Sequence, residues 1–208
     1  RFYALPEDRV EVPVHGFVID LVRGGLLVEI QTGGFSSLRR KVTSLLELGH
    51  RVRVVRPIPI VKWLVKVDAN GTVLSRRRSP RHGKPTDIFS DLTSLPDLLA
   101  HPHFEVDVLL TIEEELRAHM PGLAWRRNGW TVIERRLVEV VGSELLENGH
   151  DLAGLLPEGL PETFTTADLA ERLGGPRRTA QQMAYCLRRI GVLVVVGKRG
   201  ASIEYRVG

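Results

Sequence analysis

Cysteine is almost missing from this chain of 208 residues: Cys186 is the single one. One thiol cannot build a disulfide framework or a cysteine-rich zinc module, and it suits a reducing, cytoplasmic setting. Long apolar runs are also lacking, since none approaches the ~20 residues that a membrane helix needs. No signal-like start, internal repeat or extended low-complexity segment is visible, so targeting and solenoid readings have no footing. The remaining composition, 43% hydrophobic and 26% charged, is that of an ordinary globular chain with enough length for a real core.

Net charge is only +4, but its distribution is uneven. Basic residues gather in "RRK" (39–41), "RVRVVR" (51–56) and "RRRSPRHGK" (76–84), whereas acids concentrate in "EVDVLLTIEEE" (105–115). Basic density of this kind is the footprint of a polyanion partner. A second copy of the chain is allowed as a partner; a membrane is not expected.

Periodicity predicts a strand over 14–22, the turn Gly24-Gly25, and a second strand "LLVEIQ" over 26–31. Paired glycines suit a two-residue hairpin loop, because both central positions of the tight turn want positive φ. That loop sets the register: Arg23 faces Leu26, Val22 faces Leu27, Leu21 faces Val28, and Asp20 falls opposite Glu29. Leu38, Val42, Leu45 and Leu46 predict a helix over 36–49, and strands follow at 51–60 and 61–67. Residues 68–84 read as a turn and a basic loop, 87–99 as a helix interrupted near Pro96, and 104–112 and 129–141 as segments that could be extended.

Two facing carboxylates repel, with Cβ atoms ~5 Å apart. At an effective dielectric near 20 that is roughly 3 kcal/mol, which a bound divalent cation would reverse. Mg²⁺ takes oxygen ligands, commonly one or two carboxylates with waters and substrate phosphate. Gln31 shares the face of Glu29 and could orient a water or a phosphate oxygen.

Asp20, followed after eight residues by Glu29-Ile30-Gln31 and then by a helix and a strand, resembles the signature of the PD-(D/E)xK nuclease superfamily. The resemblance covers about residues 10 to 67. It implies a restriction-endonuclease-like mixed α/β sheet core, Mg²⁺ or Mn²⁺ held by Asp20 and Glu29, and hydrolysis of DNA phosphodiesters. This chain departs from the pattern in having Gln31 for the usual lysine and Ile19 for the proline. Lys41 is the expected substitute for the lysine, with Arg39, Arg40 and Lys62 as further candidates. His101 and His103 of "HPHF" read as a turn, His15 as an edge residue, Glu113, Glu114 and Glu115 as a solvated face, and Trp63, Trp125 and Trp130 as core anchors.

The tail is patterned differently. "TTADLAERLGG" opens with Thr165 and Asp168 at the spacing of a capping box and closes on glycine. In the next segment Ala180, Met183, Ala184, Leu187 and Ile190 form one apolar stripe. Arg177, Arg178, Gln181, Gln182, Tyr185, Arg188 and Arg189 fill the other positions. "VLVVV", "GKRG" and "SIEYRV" complete a hairpin with Lys198 and Arg199 at its tip. This order resembles a winged helix-turn-helix, a DNA-binding module whose second helix enters the major groove. The expected division is a nuclease-like domain over 1–155 and a small winged-helix domain over 156–208. The whole chain is also similar to an uncharacterised bacterial family with that arrangement. The expected function is a metal-dependent deoxyribonuclease placed by the winged helix, with a catalytically inactive DNA-binding regulator as the alternative. Expected nucleic-acid contacts are Arg39, Arg40, Arg76, Arg77, Arg78, Arg81, Lys84, Arg177, Arg178, Gln181, Gln182, Arg188, Lys198 and Arg199.

Overall fold

The computed structural model describes residues 3–120, 122 and 128–208. Trp125, expected as a core anchor, lies outside them.

The chain opens as a meander. β1 (Arg9–Val14) turns through His15 and Gly16, both at positive φ, into β2 (Phe17–Arg23), which turns through Gly24 and Gly25 into β3 (Leu26–Ile30). The second turn is as expected, with φ of 51° and 93° at its two glycines, and the pairs Arg23 with Leu26, Val22 with Leu27 and Leu21 with Val28 all form. The single strand expected over 14–22 is corrected to two, because His15-Gly16 is itself a tight turn.

A 3₁₀ turn at Phe35–Leu38 leads into helix α1 (Arg39–Glu47), which carries the chain back to β4 (Arg51–Val67), parallel to β3. The two strands expected at 51–60 and 61–67 are one strand of 17 residues. Proline has no N–H for a ladder, which usually disqualifies a central strand. Pro57 and Pro59 escape this because β3 pairs only with residues 51–55 of β4, and β5 (Val73–Arg78) pairs only with residues 63–67. The prolines fall in the gap between these two partners.

A 3₁₀ turn at Pro85–Asp87 and the short helix α2 (Ile88–Leu92) then cross to β6 (Phe104–His119), parallel to β4, and β7 (Trp130–Leu146) returns antiparallel. The sheet order is β1-β2-β3-β4-β6-β7, with β5 on the far half of β4. At ~3.3 Å per residue, β4 is about 55 Å long, whereas the nine residues of α1 reach only about 14 Å. One end of the sheet therefore extends as an arm past its helices.

The last part comprises α3 (Gly149–Ala153), β8 (Phe164–Thr165), α4 (Thr166–Leu173), α5 (Arg177–Arg189), β9 (Leu193–Arg199) and β10 (Ser202–Val207). Their strands form a second sheet in the order β8-β10-β9. α4 starts on the expected capping box, with Thr165 Oγ1 accepting from Ala167 and Asp168 and the Asp168 carboxylate accepting from Thr165 N–H; it ends on Gly174 at φ 58°. α5 buries Ala180, Met183, Ala184, Cys186 and Leu187. Cys186 widens the apolar stripe toward α2, with its Sγ 4.0 Å from Phe89 O.

One core joins all of this. Leu27, Val54 and Val106 of the sheet, Val42 and Leu45 of α1, Phe89 of α2, and Met183 and Leu187 of α5 belong to the same buried cluster. A smaller cluster, Leu21, Leu26, Val28, Val55 and Leu109, lies on the other face under Tyr3 and Ala4. Among the described residues the helices thus cover one face of the sheet.

Candidate functional site

The two acids of the motif meet where the hairpin stops pairing. The β2–β3 ladder ends at Leu21 and Val28, so Asp20 and Glu29 are next in register without being a ladder pair. Across β1 the pattern also lapses: Val10 pairs with Leu21 and Val12 with Ile19, leaving Glu11 opposite Asp20 at φ 52°. Positive φ is uncommon for a residue with a Cβ and marks a local interruption of the strand. Ile19 packs on the helix side whereas Leu21, two residues on, packs on the other, so β2 rolls over at Asp20. The Asp20 carboxylate consequently fills the gap in the ladder, accepting the Ile30 N–H at 2.7 Å.

Glu29 follows the alternation of β3. It shares the helix-side face with Leu27 and is 5% exposed. α1 brings Lys41 onto it, with Nζ 2.5 Å from Oε1, and the same ammonium donates to Val18 O at 2.5 Å. Burial pushes the Glu29 carboxyl above its ordinary pKa; Lys41 draws it back, and the Asp20 charge pushes it up again. The two acids are neighbours in register, each next after the last ladder pair Leu21–Val28. Gln31 does not point at them: its Nε2 donates to Gly34 O at 3.0 Å and to Ser37 Oγ at 3.3 Å, holding the loop after β3.

No group of three or more His, Cys, Asp or Glu residues that could hold a metal ion occurs among the described residues. Asp20 and Glu29 supply two carboxylates, short of such a group. Glu29 Oε1 is buried without a hydrogen-bond partner, and the Lys41 ammonium beside it compensates its charge.

The basic runs divide into two kinds. The expectation that "RVRVVR" faces a polyanion is corrected, because β6 lies parallel beside it and supplies the counter-charges. Arg53 is in register with Glu105 and bonds it at 3.1 Å, Arg51 approaches Glu105 at 3.9 Å, and Arg56 pairs with Asp91 of α2 at 2.7 Å. Of "RRK", Lys41 is held by Glu29, Arg39 reaches Ser94 O at 3.1 Å and Asp97 at 3.5 Å, and Arg40 is exposed. Arg189 also pairs with Asp97.

The expected basic loop 76–84 is also corrected: Arg76, Arg77 and Arg78 belong to β5. Arg76 stacks on Trp63 with its guanidinium 3.8 Å from the ring centroid and pairs with Glu114 at 3.0 Å. Trp63 is half-buried and packs on the small core cluster of Val65, Val67 and Leu116, whereas half-buried Trp130 is a platform with Lys66 4.2 Å above its ring. Nor are residues 113–115 all solvated, since Glu115 is buried against Arg117 and Arg135. Arg77, Arg78, Arg81, Lys84 and Lys62 form no ion pair within 4.0 Å among the described residues, and the first four are exposed. His101 and His103 form the expected turn, and exposed His15 lies against the His50 ring at 5.1 Å.

In the C-terminal part Arg177, Arg178, Gln181, Tyr185 and Arg188 are exposed along α5, and Gln182 is half-buried. A groove of about 290 Å³ runs between this face and the β9–β10 hairpin. At the hairpin tip Lys198 and Arg199 are both exposed, but Arg199 is engaged by Glu204 at 2.7 Å, Asp168 at 2.9 Å and Thr163 O at 3.3 Å.

With this geometry in place, the comparison with known sequences adds a family. Residues 1–147 match the family described as a domain of unknown function, DUF8091. The chain belongs to that family. An uncharacterised protein of Treponema pallidum (strain Nichols) is 31% identical over 200 residues, covering 96% of this chain and 78% of the relative. That alignment necessarily runs past residue 147, so this DUF8091 chain and its relative share the α4–α5 region as well. No solved structure matches the sequence.

The Arg53–Glu105 contact escaped the sequence reading, as did a buried cluster in which Tyr3 OH donates to Asp107 at 2.8 Å. Their signal was alternation of charge at 51, 53, 105 and 107, which acquires meaning only once β4 and β6 are known to be parallel neighbours.

Proposed function

We propose that this DUF8091 protein is a metal-dependent DNA endonuclease with a nuclease-like sheet core and a winged helix-turn-helix at its C-terminal end. The observation that carries the reading is Lys41 on Glu29 beside Asp20. Two acids and a lysine, the residue types of the superfamily signature, come together although Gln31 occupies the usual lysine position. Asp20 and Glu29 would hold Mg²⁺, which supplies Lewis acidity toward a phosphoryl oxygen and a more acidic bound water. Lys41 offers a positive charge beside the phosphate and a proton at Nζ. Gln31 acts as a positioning residue by fixing the loop over Gly34 and Ser37.

The order α3, β8, α4, α5, β9, β10 supports the winged-helix reading, with α5 as the helix offered to the major groove. Its exposed Arg and Gln residues are of the types that bond guanine and adenine edges.

A second reading, a DNA-binding regulator without catalysis, is favoured by a specific observation. Both acids are already satisfied inside the protein, Asp20 by the Ile30 N–H and Glu29 by Lys41. Supercoiled plasmid with Mg²⁺ separates the two. Nicking by the wild type that Asp20→Asn abolishes supports the enzyme. Equal nicking by both proteins, or none by either alongside duplex binding in fluorescence anisotropy, leaves the regulator.

A further inference from the structure

A wide groove lies away from the acids. It lies on the helix side of the sheet arm, has a volume of about 1100 Å³, and is walled by β4 and β6, by the segment 79–84, and by the α4–α5 turn at Gly174, Gly175 and Pro176. Six cations line it, Arg56, Lys62, Arg77, Arg81, Lys84 and Arg117, against the three acids Asp87, Asp91 and Glu115. The acids are all engaged: Asp91 with Arg56 at 2.7 Å, Glu115 with Arg117 at 2.5 Å, and Asp87 with the backbone N–H of Lys84 at 3.0 Å. Lys62, Arg77, Arg81 and Lys84 remain without a paired acid among the described residues.

The groove is held in shape before any ligand arrives. Segment 79–84 is strapped along the proline gap of β4 by Ser79 N–H to Lys62 O at 2.7 Å and by Gly83 N–H to Pro59 O at 3.0 Å. It is tied across to α4 by Lys84 Nζ, which donates to Leu173 O at 2.9 Å. A concentration of like charge on a fixed frame is costly to the folded chain and attractive to a polyanion. No Phe, Tyr or Trp lines the groove. Single-strand sites use such rings to stack bases; here His82 is the one aromatic ring among the lining residues, and the wall is dominated by cations suited to phosphates. Pro176 and Thr179 at the start of α5 line it, and Arg177 lines the groove along the exposed face of the same helix, so both grooves reach the first turn of α5.

We propose that this groove cradles the phosphodiester backbone of duplex DNA flanking the segment engaged by α5, through Lys62, Arg77, Arg81 and Lys84 and by charge alone. The inference rests on the DNA-binding reading but not on the catalytic one. It is tested by fluorescence anisotropy on a labelled random-sequence duplex of about 30 base pairs, titrated between about 50 and 200 mM salt. Wild type is compared with K62Q/R77Q/R81Q; Lys84 is kept because it braces α4. Each phosphate contact contributes about 0.9 to the slope of log affinity against log salt. Over that fourfold change in salt, the wild type should lose about 40 times more affinity than the triple variant. Parallel salt plots for two proteins that both bind would overturn the groove while leaving α5 as a DNA contact. A slope change seen only with a single strand of equal length would also overturn it. Absence of duplex binding by the wild type at any salt sinks the DNA reading and this inference with it. Should the triple variant melt early, R77Q and R81Q alone, both at exposed positions, should each lower the slope by about one.

Discussion

Lys41 Nζ lies 2.5 Å from Glu29 Oε1, so a residue on α1 answers the buried carboxylate of β3. The net shift of Glu29 is upward from its ordinary value of 4.5, with burial as the largest cause. A folded state that holds a proton more tightly than the unfolded chain is favoured in acid. The contribution of Glu29 is therefore fully present below the unfolded value and is lost as pH rises through the folded one. Lys41→Met removes the opposing charge, so this loss should deepen, to about 3 kcal/mol near neutrality. Adding Glu29→Gln should restore most of it. Urea unfolding of the four proteins of this cycle, at about pH 5 and pH 8, measures the coupling. A Lys41→Met protein as stable as wild type at both values would show that the pair carries no structural weight.

The same residues show how far the sequence could be read. Gly24-Gly25 and strict alternation specify the hairpin register locally, so the approach of Asp20 to Glu29 was legible. The ladder's end at Asp20 was not, because nothing local marks Glu11, opposite Asp20, for φ 52°. The strand over 51–60 was legible through Pro57 and Pro59, but its continuation to Val67 was not, since nothing local reveals that β6 runs beside both halves. The charge runs misled for a related reason. A basic run and an acidic run some 50 residues apart look like two surfaces until the parallel register of β4 and β6 sets Arg53 beside Glu105. The tail was legible because capping boxes and helical stripes are written within a few residues.

Gly83 is the point at which the basic segment touches β4. A Cβ there would stand 2.6 Å from Ile58 Cγ2 and 2.8 Å from Pro59 O, a close approach that only glycine tolerates against a backbone carbonyl. Gly83→Ala should lift the segment, break the Gly83 to Pro59 hydrogen bond and cost about 1–3 kcal/mol. Hydrogen exchange should show faster exchange of the amides at Ser79 and Gly83, with those of β6 unchanged. If the variant matches wild type in both stability and exchange, segment 79–84 is not strapped to the sheet.

Cys186 is completely buried between α5 and α2, and desolvation pushes its thiol up to about 12. The thiolate is the reactive form, so the native thiol should be inert at ordinary pH. A disulfide reagent absorbing in the visible should label no cysteine in the native protein near pH 8, and one per chain in denaturant. Labelling at a rate independent of denaturant would show that α5 does not dock on α2.

Arg199 and Lys198 are neighbours at the hairpin tip with opposite commitments. Both are exposed, but Arg199 closes a network of Glu204, Asp168 and Thr163 O that joins the hairpin to the start of α4. The Asp168 carboxyl sits below its ordinary pKa, first through the Thr165 backbone N–H and further through Arg199. A depressed carboxyl contributes stability that is present above the unfolded pKa and lost as pH falls through the folded one. Arg199→Ala should therefore destabilise the C-terminal part near neutrality, with the difference from wild type shrinking in acid. Thr165→Ala, which removes the cap acceptor itself, should cost about 1 kcal/mol. Lys198→Ala should leave the melt unchanged and weaken duplex affinity evenly across sequences, lowering the salt slope by about one. Melting curves and salt titrations on the same three variants assign each cation. An Arg199→Ala protein that keeps its stability but loses the salt dependence would reverse the two roles and return Arg199 to the phosphate contacts expected from its position at the tip.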